Sequence, residues 1–223
     1  MPDKIKTISL ALPYRLGIIN CYLIENREGY VLIDTGCSNR RSKLEEELKA
    51  AGCRPGNLKL IVLTHGDFDH AGNAAYISRK FGAEIAIHIN DSGIVEHGDM
   101  FRNRKKRNDP FKLIAPVVFR FGKSDRFKPN ILLLDGDELS KYGLEAKVVH
   151  IPGHTKGSIG ILTADGGLFC GDMFTNRDRP TLNAIIDDLE EAKASFEKLK
   201  ELKINAVYPG HGKPFYMDKL LVS

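Results

Sequence analysis

A length of 223 residues, 42% of them hydrophobic, is within reach of one large domain or two small ones and allows a substantial core. No apolar run approaches the length needed to cross a membrane, and Met1-Pro2-Asp3-Lys4-Ile5-Lys6 leads straight into a strand pattern without a signal-peptide block, so a cytoplasmic location is expected. The net charge of +4 is uneven: residues 100–128 hold ten Lys/Arg against two Asp, a local +8, and the remainder is −4.

In chain order, residues 6–12, 18–25 and 30–34 read as three successive strands, the last two joined by the turn Asn26-Arg27-Glu28-Gly29. Residues 39–51 read as an amphipathic helix with Leu44, Leu48 and Ala51 on one stripe and Gly52 as its stop. A strand over 60–64 is followed by a polar turn, then a helix through Lys80 ended by Gly82, then a strand over 84–88. From about 90 to 129 the rhythm breaks. This stretch holds the basic run Arg102-Asn103-Arg104-Lys105-Lys106-Arg107 and an apolar segment over 111–121 interrupted by Pro116, and it reads as a partly helical insertion. Strands return over 131–134, 146–151, 158–163 and 168–170. An amphipathic helix over 187–202 then buries Leu189, Ala192, Phe196 and Leu199, and a last short strand covers 206–208. Each half runs strands, helix, strand, which predicts two similar halves packed sheet to sheet with helices outside, in a single domain.

The most informative segment is His65-Gly66-Asp67-Phe68-Asp69-His70, two imidazoles and two carboxylates on the turn that leaves the apolar run Leu60-Ile61-Val62-Leu63. Function collects on such turns, and a turn lets residues at this spacing converge on one point. Imidazole nitrogens and carboxylate oxygens are the donors that divalent Zn, Mn and Fe accept. Three further clusters end strands in the second half: His154 in Pro152-Gly153-His154-Thr155-Lys156-Gly157-Ser158, Asp172 after Cys170-Gly171, and His211 in Pro209-Gly210-His211-Gly212. His88 and His150 read as structural, and His97 falls in the insertion. The four cysteines form no C-x-x-C pair and read as free thiols, with Cys37 the one placed near a strand end close to the site. No G-x-S-x-G, P-loop or dinucleotide fingerprint competes with the metal reading.

With Leu32-Ile33-Asp34-Thr35-Gly36 and Thr64 through His70 added, these motifs stand in an order that resembles the metallo-β-lactamase superfamily over nearly the whole chain. The resemblance implies an αββα sandwich, an α/β fold of four layers, with a two-metal site at one sheet edge. Carried over by motif, His65, Asp67 and His154 would hold the first metal, Asp69, His70 and His211 the second, and Asp172 would bridge them. Asp34 would buttress the ligand loops. One position departs from the pattern: the usual motif has His where this chain has Asp67. A carboxylate there is harder and adds a negative charge, so Fe or Mn becomes plausible beside the more usual Zn.

The implied chemistry is a hydroxide between two divalent ions attacking a carbonyl or phosphoryl centre, with Asp69 orienting it. The first expectation is therefore a hydrolase of a small-molecule ester, thioester, lactone, amide or phosphodiester. A di-iron oxidoreductase acting on oxygen or persulfide is an alternative that Asp67 raises. A nucleic-acid-acting or nucleic-acid-binding protein is a third, prompted by the basic stretch, although superfamily nucleases usually carry a larger extra domain. That stretch could also touch a membrane surface or cap an acidic, partly apolar substrate.

Overall fold

The structure, a computed structural model, describes residues 4–102, 104 and 122–220. Two sheets form the centre. The first is ordered β1 (Lys4–Ala11), β2 (Ile18–Asn26), β3 (Gly29–Ile33), β4 (Leu58–Leu63), β5 (Glu84–His88), β6 (Ile131–Leu133). Its first three strands are antiparallel neighbours and its last four run parallel. The second is ordered β12 (Phe215–Tyr216), β11 (Ala206–Gly212), β9 (Gly167–Asn176), β8 (Ile159–Thr163), β7 (Ala146–His150), with β10 (Thr181–Leu182) paired to β9.

Alternation along the strands explains the layering. On β4, Leu60 and Val62 face the second sheet while Ile61 and Leu63 face the helices. A strand buried on both faces needs an unbroken apolar run, and 60–63 supply one. Three apolar clusters result. One lies between the first sheet and the helices α1 (Arg41–Ala50) and α3 (Ala74–Phe81), through Leu44, Leu48, Ile77 and Phe81. The central one joins the sheets through Tyr22, Val31, Ile33, Val62, Val148, Ile161 and Phe169. The third packs the second sheet under Leu199 of α5 (Leu189–Lys200). The order is therefore helix, sheet, sheet, helix, the four-layer αββα sandwich expected. Asp188 caps α5 by accepting from the N–H groups of Glu190 and Glu191.

Three differences from the sequence-based expectation matter for the site. The helix expected to follow the polar turn starts only at Ala74, and a separate short piece, α2 (Phe68–Ala71), forms within the turn; between them Asn73 turns its side chain to the carbonyls of Thr35 and Cys37, each at 2.8 Å. Strands β9 and β11 run past 170 and 208 because they pair with each other in parallel, with register shifts at Tyr208/Pro209 and Pro209/His211. They carry Asp172 and His211 onto adjacent strands. Finally, residues 89–97, inside or beside the stretch read as an insertion, form α4 (Ile89–His97), which buries Asp91, Ile94 and Val95. Residues 103 and 105–121 of that stretch, with its apolar part and most of its basic run, lie outside the described residues. Among the described residues no helix is long and apolar enough to cross a membrane.

Candidate metal centre

Strand ends from both sheets deliver the polar residues to one edge. β4 ends at Leu63 and releases Thr64 through His70; β7 leads into the turn holding His154; β9 presents Asp172 and β11 presents His211. His65, His154 and Asp172 form one group of donor atoms mutually within 4.8 Å, and Asp69, His70 and His211 form another. Asp172 stands between them: its Oδ1 is 3.3 Å from His70 Nε2, and its Oδ2 is 3.4 Å from His211 Nε2 and 3.9 Å from His154 Nε2. Asp69 Oδ2 lies 3.4 Å from His211 Nε2.

All four imidazoles are held by Nδ1, which leaves Nε2 aimed inward. Nδ1 of His154 meets the carbonyl of Ile185 at 2.5 Å, and Nδ1 of His211 meets that of Ile18 at 2.7 Å. Nδ1 of His70 meets Asp34 Oδ2 at 2.8 Å. Carbonyl and carboxylate oxygens only accept, so these nitrogens carry the hydrogen. Thr64 Oγ1 donates to Asp34 Oδ2 at 2.7 Å and so accepts from Nδ1 of His65 at 3.1 Å. Fixing the far nitrogen in this way is how proteins orient a metal-binding histidine.

The fit to metal ions is supported by the buried atoms left without a hydrogen-bond partner: His65 Nε2, His70 Nε2, Asp172 Oδ1 and Asp67 Oδ1. Buried polar atoms are rarely orphaned, and a cluster of nitrogen and carboxylate donors facing one another has divalent cations as its natural partner. The electrostatics agree. Burial disfavours charge on His211, yet Asp172 and Asp69 raise it to about 10. Burial would raise the Asp172 carboxyl, but His211 and His70 hold it well below the usual range. A positive charge is demanded here, and a proton supplies it where a cation would.

Asp67 belongs to neither mutually close group. Its Oδ2 lies 3.1 Å from His154 Nε2 and 3.7 Å from His65 Nε2, and it also accepts from Arg104 Nη2 at 2.5 Å. Cys37 is buried, and burial with Asp69 nearby pushes its thiol far above the range of a nucleophile. His88 and His150 stack at 4.1 Å and belong to neither donor group, and His97 bonds Gly93 on α4.

Several residues that support the site are not apparent from the motifs. Asp91 on α4 accepts from the N–H of Gly66 at 2.9 Å, the N–H of Gly157 at 2.9 Å and the hydroxyl of Thr155 at 2.8 Å, tying the His65 and His154 turns together. Asn20 and Tyr22 on β2 reach across to the second sheet, Asn20 to the carbonyl of Gly212 at 2.6 Å and Tyr22 to that of Pro209 at 2.7 Å. The available signal for Asn20 was a lone amide in an apolar strand. Gly210 is required by close approach: a Cβ there would fall 2.6 Å from the His70 ring and 2.7 Å from Asp172 Oδ1.

Residues 14–211 match the family model of the metallo-beta-lactamase superfamily. The chain belongs to that superfamily. It is 29% identical to the acyl-coenzyme A thioesterase MBLAC2 of Bos taurus, over 90% of this chain and 75% of that protein. It is 30% identical to the hydroxyacylglutathione hydrolase GloC of Haemophilus influenzae, over 69% of this chain and 66% of that protein. Among solved structures it resembles TTHA1623 in a di-iron-bound form, with a TM-score of 0.73 and 25% identity over 96% of this chain and 95% of that one.

Proposed function

We propose that this superfamily member is a binuclear metal-dependent hydrolase that cleaves an acyl thioester or related ester. The observation that carries this reading is the pair of donor groups on either side of one carboxylate: His65, His154 and Asp172 for one ion, Asp69, His70 and His211 for the other, with Asp172 reaching both. Divalent ions bound there supply an activated water at neutral pH and a Lewis acid for the substrate oxygen. The chain's own residues do the rest. Asp69 orients the attacking water and takes up its proton at the carboxylate, and Asp172 spans the two groups. The carbonyls of Ile185 and Ile18 and the Asp34 carboxylate keep three imidazoles from turning.

The thioester is favoured by two features. One is the similarity to two relatives, an acyl-coenzyme A thioesterase and a hydroxyacylglutathione hydrolase. The other is a groove of about 630 Å³ lined by Leu12, Pro13, Arg15, Ile18 and Arg40 among others. One of its lining residues, Ile18, holds His211 by its carbonyl. Arginines beside the exposed Ile18 side chain suit a ligand with an anionic carrier and an apolar acyl group.

A di-iron oxidoreductase is the second reading, favoured by the carboxylate at Asp67 and by the di-iron-bound neighbour. Elemental analysis of protein grown with Fe, Mn and Zn together, followed by an acyl thioester, ester, lactone and phosphodiester panel, separates the two. Two ions per chain with thioester turnover is the expected result. Two Fe with oxygen or persulfide turnover and no hydrolysis overturns it, as does protein that takes up no metal.

A further inference from the structure

Arg104 is one residue of the basic run whose side chain is described, and it points inward. Its side chain is 9% exposed and that of Asp67 6%. Arg104 Nη2 contacts Asp67 Oδ2, the oxygen that also lies 3.1 Å from His154 Nε2 and 3.7 Å from His65 Nε2. Asp67 Oδ2 therefore faces two of the three donors of the first group, and a cation already occupies it. The other oxygen, Oδ1, has no hydrogen-bond partner. The second group has the opposite backing: behind His70 stands the carboxylate of Asp34 at 2.8 Å.

We propose that Arg104 is a positioning residue that makes the two metal sites unequal, holding Asp67 in competition with the first ion so that this ion binds more weakly than the second. The inference rests on the binuclear reading above. An oxygen shared between a guanidinium and a metal ion donates less to either, and a buried positive charge beside a divalent cation repels it. Arg104 and Asp67 together carry no net charge, as a neutral histidine at position 67 would carry none. The carboxylate at this position and the basic residue brought to it are thus one device. It follows that neither residue can be replaced alone without changing the first site, whereas the pair can be replaced together.

The test is a stepwise titration of metal-free protein with Mn²⁺ and with Zn²⁺ against a chromogenic chelator, which reads two affinities without any assay of turnover. Wild type, Arg104→Met, Arg104→Lys, Asp67→His and the double variant Asp67→His/Arg104→Met are compared. Wild type is expected to show one tight and one weaker step. Arg104→Met strengthens the weaker step roughly tenfold or more and leaves the tight step unchanged, while Arg104→Lys keeps the wild-type gap. Asp67→His weakens the first step, because the guanidinium then stands unpaired beside the ion, and adding Arg104→Met restores it. The tight step is an internal control, since a misfolded variant loses both. An unchanged or wider gap in Arg104→Met overturns the proposal, as does a double variant no better than Asp67→His alone. Wild-type protein without any metal site overturns the binuclear reading itself, an outcome distinct from two sites that ignore Arg104.

Discussion

Asp34 Oδ2 lies 2.8 Å from His70 Nδ1, and the residue that offers it has a left-handed backbone, φ +58°. Few non-glycine residues adopt that region, Asn and Asp more readily than others, and such strain persists where the surroundings impose it. Here they do: Asp34 also accepts from the Thr64 N–H at 2.9 Å and the Thr64 hydroxyl at 2.7 Å, and its own N–H bonds the Val62 carbonyl at 3.0 Å. One carboxylate thus fixes both the start of the His65 turn and the His70 ring. Asp34→Asn tolerates the backbone and keeps an acceptor for Thr64 but loses the charge behind His70. Its affinity for the second ion should fall about 10- to 100-fold with the fold retained. Chelator competition alongside thermal unfolding checks this, and wild-type affinity in the Asn variant would refute the buttressing role.

Among the described residues Asp172 is the one carboxylate within 4 Å of histidines from both groups. Asp172→Ala should release most bound metal and abolish activity, because the first group is left with His65 and His154 and the second loses the carboxylate that it shares, keeping Asp69, His70 and His211. Metal content by elemental analysis decides the matter. Retention of two ions per chain would remove Asp172 from the bridging position.

Protons and metal ions compete for the same atoms. In the metal-free site Asp172 and Asp69 hold His211 near 10 despite burial, and carboxylates also raise His70 and His154. Metal uptake must displace these protons, so apparent affinity should fall as pH is lowered, by up to about tenfold per unit for each protonated ligand. Proton release measured in weakly buffered solution during titration gives the count directly. Metal-free protein shows the other sign. A folded-state value raised from 6.5 to about 10 at His211 contributes stability that is full below about 6.5 and lost as pH rises through about 10. Urea unfolding of chelator-stripped protein between those limits should show the decline, and a flat profile would contradict it.

Asp91→Ala strands two buried donors, the N–H groups of Gly66 and Gly157, while the Thr155 hydroxyl keeps Ser158 Oγ at 2.8 Å. Each unsatisfied buried donor costs roughly 1–3 kcal/mol, so a loss of about 2 kcal/mol or more is expected in urea unfolding. The first metal step should weaken as well, because the His65 and His154 turns lose their tie. An effect on stability with the metal steps untouched would make Asp91 a packing residue only.

The fold was legible in the sequence because its signals are local. Alternation and unbroken apolar runs mark strands buried on one or both faces, and glycine stops mark the helix ends at Gly52 and Gly82. The misjudged boundaries were non-local in origin. Asn73 stands between α2 and α3 and bonds Thr35 and Cys37, and β9 and β11 lengthen only because each finds the other.

The same division runs through the candidate site. The sequence by itself determined which donor types are available and that they cluster at strand ends, since two imidazoles and two carboxylates within six residues are visible without any structure. The tertiary structure alone decided which atoms face one another. It set Asp172 between two groups drawn from both sheets, brought Asp91 to the His154 turn and Asn20 to Gly212, and turned Arg104 out of a basic run onto Asp67. These partners lie from 18 residues apart, His154 and Asp172, to 192 apart, Asn20 and Gly212. Hydrogen bonds and ion pairs depend on distances of a few ångströms in space, and no periodicity or composition of the chain encodes such distances.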